Sequence, residues 1–252
     1  MKTKLLVLAA ATPLLAFSLA SPASAATSTM YHATLNGLNH QDAASGTFTL
    51  TLNGDMATIT EHTMGLAAKF GPGAFPHVQH IHGGAMGTCP PASADKNGDG
   101  VVSTPEGASF YGGILTTLSV SGGTTPADGV NIKIAPSGGA YDYSRTIKLD
   151  SATIAALTGG TAVVVVHGDD PSKLSAKAQG EKSDIAGTES LPLAATAPAL
   201  CGSLTAMPMG GTATGGGSTS GVQDSGLAGA GVLAIIAAGG ALAYRRRVTA
   251  TN

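Results

Sequence analysis

Charge is scarce in this sequence. Only 11% of its 252 residues are Asp, Glu, Lys or Arg, and the formal net charge is −2. A nucleic-acid partner would ask for a basic stripe, so no nucleic acid is expected. Cysteine is scarcer still: Cys89 and Cys201 are too few for a disulfide-dense scaffold and form neither a zinc-ribbon spacing nor a redox Cys-x-x-Cys pair. Long segments of 3.6-residue period are missing, as is any internal repeat, which leaves no material for a helical bundle or a solenoid. No Gly-x-Ser-x-Gly elbow is present to support a hydrolase.

What is present divides by composition. Lys2 and Lys4, an apolar stretch over 5–19 and the small residues Ala23-Ser24-Ala25 form the three parts of a secretory signal, assigned to 1–25. At the other end no charged residue occurs over 227–244, and Arg245, Arg246 and Arg247 follow at once. At about 1.5 Å per residue such a helix just crosses a hydrocarbon layer of about 30 Å. The arginines hold its end on the cytoplasmic side. The expected organisation is therefore a folded domain over 26–206, a Gly/Ser-rich linker over 207–225, a membrane-spanning helix over 226–244 and a basic tail over 245–252, with the domain exported and held at the cell surface. Wall-anchored proteins of Gram-positive bacteria carry Leu-Pro-x-Thr-Gly before a similar tail. Here Val222-Gln223-Asp224-Ser225-Gly226 keeps only the closing Ser-Gly. Export also lets a disulfide persist, so Cys89 and Cys201 are expected to pair and to contribute up to roughly 4–5 kcal/mol in the chain-entropy picture.

The middle of the chain alternates with period two. Thr47-Phe48-Thr49-Leu50-Thr51-Leu52, a turn at Asn53-Gly54-Asp55 and Met56-Ala57-Thr58-Ile59-Thr60 predict a hairpin. Further strands are predicted over 31–35, 78–82, 114–120, 130–134, 143–148, 162–167 and 202–206, with one short helical turn at 151–157 capped by Asp150 or Ser151. Eight or nine short strands between Gly/Pro turns predict an all-β, antiparallel sandwich or barrel. The polar stretch 173–189 reads as a solvated excursion.

Two clusters bear chemistry. In Asp95-Lys96-Asn97-Gly98-Asp99-Gly100-Val101-Val102-Ser103-Thr104-Pro105-Glu106, oxygen ligands fall at loop positions 1, 3, 5 and 9, glycine at 6 and glutamate at 12. That spacing resembles an EF-hand loop and wraps six or more oxygens around one calcium ion. Asp95, Asn97, Asp99, Ser103 and Glu106 would ligate by side chains, and Val101 by its carbonyl. Flanking helices are not expected, because Cys89-Pro90-Pro91 precedes the loop and Gly107 and Tyr111-Gly112-Gly113 follow it; the ion would then be structural. The second cluster is His77-Val78-Gln79-His80-Ile81-His82. Residues two apart on a strand share a face, so His80 and His82 are candidate ligands for copper or zinc, with His167 as a third and His77 facing away. Histidines bonded to backbone at a sandwich edge are the other reading.

His80-Ile81-His82-Gly83, together with Tyr31-His32-Ala33-Thr34-Leu35-Asn36-Gly37, resembles the chordin-type CHRD domain. The succession of His80-x-His82, Cys89, Val165-Val166-His167, Asp169-Asp170 and Cys201-Gly202 is similar to Cu/Zn superoxide dismutase. The resemblance implies an antiparallel Greek-key β-sandwich, copper at His80, His82 and His167, and a Cys89–Cys201 disulfide. The dismutases place further histidines after the first cysteine, and an arginine three residues before the last. This chain has no histidine from Cys89 to Val120, and Pro198 stands at the arginine's place. The function these readings imply is a surface-anchored, non-catalytic binding or adhesion domain with structural calcium and a copper option. An extracellular copper-dependent dismutase is the alternative.

Overall fold

The alternating segments become strands because their branched and aromatic positions fall on one face. β1 (Thr29–Gly37), β2 (Ser45–Asn53) and β3 (Met56–Met64) run antiparallel. In β2, Phe48, Leu50 and Leu52 are buried while the threonines between them face outward. Asn53 pairs with Met56, leaving Gly54 and Asp55 as a two-residue turn that needs Gly54 at φ +61°. These observations come from a computed structural model, which describes residues 28–207. The expected signal peptide, the linker beyond Met207, the apolar stretch and the arginine tail lie outside the described residues. Among the described residues no helix is long and apolar enough to cross a membrane.

After the short pair β4 (Lys69–Phe70) and β5 (Gly73–Ala74) come β6 (Gln79–Gly83), the helix α1 (Thr104–Tyr111), β7 (Gly113–Thr117), β8 (Tyr141–Lys148), α2 (Ser151–Thr158) and β9 (Val163–His167). Two short helices, α3 (Ala176–Gly180) and α4 (Leu193–Thr196), precede β10 (Pro198–Ser203) and β11 (Thr205–Met207). The main strands pair antiparallel in the order β7-β6-β9-β10-β1-β2-β3-β8, with β11 also on β1. The sheet curls around its core: Leu35, Phe48, Ile59 and Tyr143 from one half join Ile81, Val164, Val166 and Leu200 from the other in a single buried cluster. The expected all-β, antiparallel class is met.

Strand β9 is buried on both faces. Val164 and Val166 enter the core, while Val163 and Val165 pack on the opposite side with Tyr111 and Cys201. Cys201 forms the expected disulfide with Cys89 (S–S 2.02 Å) beside this second cluster. The predicted helical turn is α2, with the Asp150 carboxylate accepting from Thr153 N at 2.7 Å as its N-cap.

Four local expectations need correction. Segment 130–134 is no strand: Val130 and Ile132 are exposed without a sheet partner, and Ile132–Ile134 is a 3₁₀ turn started by the Asn131 side chain. The strand expected to reach Val120 ends at Thr117. Segment 173–189 is not simply solvated, because Leu174, extended just before α3, and Ala178 within it are buried and pack with Val101, Leu193 and Ala197. Finally, a helix does leave the acidic loop. Ser103 and Glu106 cap α1 reciprocally and Pro105 sits in its first turn, where its missing N–H costs nothing.

Candidate metal centre

Register brings the three histidines together. His80 lies opposite Val165 and His82 opposite Val163 across the antiparallel β6–β9 pair. Residues directly opposite share a face, and His167 follows Val163 and Val165 at spacing two, so all three imidazoles emerge on the outer face of these strands. They are 2%, 1% and 3% exposed. One ring nitrogen from each lies within 4.8 Å of the others.

The remaining nitrogens fix the tautomers. His80 Nε2 donates to Gly129 O at 2.9 Å, His82 Nδ1 to Gly112 O at 3.0 Å and His167 Nδ1 to Thr196 O at 2.8 Å. His80 Nδ1, His82 Nε2 and His167 Nε2 are left buried without a partner. Burial is the main force keeping the rings neutral, and mutual repulsion between the histidines adds to it at His80 and His82. His82 is lowered to about 3, His167 to about 4, and His80 well below its ordinary value. A buried polar atom without a partner costs roughly 1–3 kcal/mol. Three neutral lone pairs turned on one another, each ring held from behind by a carbonyl, are a fitting donor set for a metal ion. His77 takes no part, since its two nitrogens face Ala67 O and His167 O, both at 2.9 Å.

α1 supplies two of the supports. Its C-cap Gly112 holds His82, and a Cβ there would fall 1.9 Å from Gly83 O at a φ of +87°. The Tyr111 ring stands edge-on to His82 with centroids 4.8 Å apart, and its hydroxyl donates to Thr104 O at 2.8 Å. At the other end the Thr104 hydroxyl donates to Thr196 O at 2.8 Å, the same carbonyl that orients His167. A cavity of about 100 Å³ opens over the histidines, walled by Val78, Ile114, Val130 and Ile185 with Thr104 and Thr196. Backbone carbonyls and cavity walls of this kind leave no mark in a sequence. The one usable signal was the Gly112-Gly113 pair, where the backbone must turn sharply.

The acidic loop is organised by its own side chains. The two carboxylate oxygens of Asp95 accept from Gly98 N at 2.8 Å and Gly100 N at 2.9 Å. Asn97 Oδ1 accepts from Asp99 N at 2.9 Å, and Asp99 Oδ1 from Val101 N at 2.6 Å. Glu106 accepts from Lys96 N at 2.8 Å and from Ser103 N at 3.0 Å, so position 12 reaches back to both the start and the end of the loop. Val101 is buried, and hydrogen bonding with the Asp99 carboxylate raises the Glu181 carboxyl above its ordinary value. Each carboxylate of the loop is thus turned onto backbone amides. Among the described residues the three histidines are the one group of His, Cys, Asp or Glu ligand atoms drawn together within mutual reach.

Asn39 ties these parts together. Its side chain donates to Val102 O, Asp169 Oδ2 and Pro198 O at 3.1–3.2 Å and accepts from Val102 N at 2.8 Å, bridging the acidic loop to the strand end that carries His167. No protein-family model matches the chain, and no curated protein is significantly similar to it.

Proposed function

We propose that this chain is an exported, surface-anchored β-sandwich domain of the CHRD and superoxide dismutase-like type, which binds rather than catalyses at the cell envelope. It holds a d-block ion of the copper or zinc class at His80, His82 and His167 and a structural calcium ion in loop 95–106. The observation that carries the reading is the trio of partnerless, buried ring nitrogens within 4.8 Å of one another. The Cys89–Cys201 disulfide supports an oxidising compartment. A Greek-key sandwich is supported by the strand order, in which β1 lies between β2 and β10 and both halves close on one core. Calcium is supported by the spacing of oxygens in the loop and by the raised Glu181 carboxyl, held up by the neighbouring Asp99 carboxylate, a repulsion a cation would relieve.

The dismutase alternative draws on the same three histidines, with a bound copper supplying one-electron chemistry. Against it stand the cavity walls, which include neither Lys nor Arg to draw in an anion. Elemental analysis of the purified protein followed by a superoxide assay separates the two. One equivalent of a d-block ion, lost in His82→Ala and without dismutase activity, is the expected result. Stoichiometric copper with activity abolished by His82→Ala would establish the enzyme instead. A folded protein that binds no d-block ion would end the metal-centre reading.

A further inference from the structure

The three-histidine centre is short of donors in a particular way. Zinc takes four ligands in structural sites, and three plus a water in catalytic ones. A water in a fourth position needs two to four polar partners of its own. Above the histidines it would meet the side chains of Val78, Ile114, Val130 and Ile185. The two hydroxyls nearby have their protons turned away, Thr104 donating to Thr196 O at 2.8 Å and Thr196 to Ser183 Oγ at 2.9 Å, so neither can donate to such a water. No Asp, Glu or Cys lines the cavity. Three neutral imidazoles and apolar walls therefore place no anionic donor on the ion itself. The cost of burying a charge grows with its square, so a divalent ion suffers about four times the penalty of a monovalent one.

We infer that this centre selects a monovalent soft ion, Cu(I), held by His80 Nδ1, His82 Nε2 and His167 Nε2 alone, and discriminates against Zn(II). The inference rests on the metal-centre reading above and adds to it the charge and coordination number of the ion. Cu(I) is satisfied by three nitrogen donors, needs no water, and carries half the charge into the cavity. It is taken up and held as Cu(I), so no electron transfer is involved.

The test is a pair of competition titrations on the purified full-length protein. Cu(I), kept reduced by ascorbate so that the disulfide survives, is titrated anaerobically against bicinchoninate. Zn(II) is titrated against a chromophoric chelator. One equivalent of Cu(I), bound about 100-fold or more tighter than Zn(II), is expected. Val130→Asp, at a cavity-lining position 59% exposed and so tolerant of the change, places an anionic oxygen donor at the rim. It should raise zinc affinity by about 10-fold or more and narrow the ratio. Zinc bound by the native protein as tightly as Cu(I) overturns the inference while leaving the metal centre standing. An unchanged ratio in Val130→Asp also overturns it, because the missing anionic donor would not be what selects. A folded native protein that binds neither ion removes the metal centre itself, and the inference with it.

Discussion

Glu61 occupies an inward position of β3, opposite Phe48 on β2 and Tyr143 on β8. It is 3% exposed, and neither carboxylate oxygen has a hydrogen-bond partner. Burial pushes its carboxyl up to about 8, with the Gln79 side chain offsetting a part. Between the two values the folded chain therefore holds a proton there that the unfolded chain has released, and the contribution of Glu61 to stability falls as pH rises. Measured as the difference from Glu61→Gln, which cancels the opposite slope of the buried histidines, the native protein should lose roughly 3–5 kcal/mol between about pH 5 and pH 8. The gain of Glu61→Gln over the native protein should therefore grow from pH 5 to pH 8. A difference between native and Glu61→Gln that stays constant across this range would exclude a buried neutral carboxyl. The same contrast between alternation and chemistry marks what the residues disclosed in advance. His80 and His82 announced themselves by spacing and His167 was named beside them as a third candidate, but what brings it to them is the β6–β9 register, which no single strand encodes.

Among the elements, α1 was concealed, as were the short α3 and α4. Gly107 and the Tyr111-Gly112-Gly113 stop made the stretch look too broken for a helix, yet Ser103-x-x-Glu106 with Pro105 is a capping-box start. Segment 130–134 misled in the opposite direction: its alternating apolar residues line cavity rims rather than a ladder. The β2–β3 hairpin and α2 were legible because a turn glycine and a capping aspartate are local devices. For the acidic loop the expected outcome is that chelation lowers the melting temperature of the native protein. The same chelator should leave the Asp95→Ala, Glu106→Ala double variant no less stable than it is in calcium. A site at 100 times its Kd contributes about 2.7 kcal/mol. The difference between calcium and chelator is the quantity to read, because Glu106→Ala also removes the cap of α1 in either condition. Identical native melts in both would refute a structural calcium ion.

For the whole molecule, class and pairing direction followed from periodicity, whereas the strand order, with β1 between β2 and β10, depends on contacts between distant segments that periodicity cannot specify. The Cys89–Cys201 bond closes a separation of 112 residues and fastens the start of the acidic-loop segment to β10. Replacing both cysteines by alanine should lower stability by about 2–5 kcal/mol. Calorimetry would measure it, and a variant as stable as the native chain would show that packing around Tyr111 and Val165 suffices. The same bond sets how the domain would give way under tension. A load applied at Met207 would unzip β11 from β1 one pair at a time, beginning at Met30, and the unravelling would stop at Cys201, where the chain is fastened covalently to Cys89. The last three-residue strand thus yields first, and only Ser203 and Gly202 would peel from β9 before the covalent link at Cys201 takes the load.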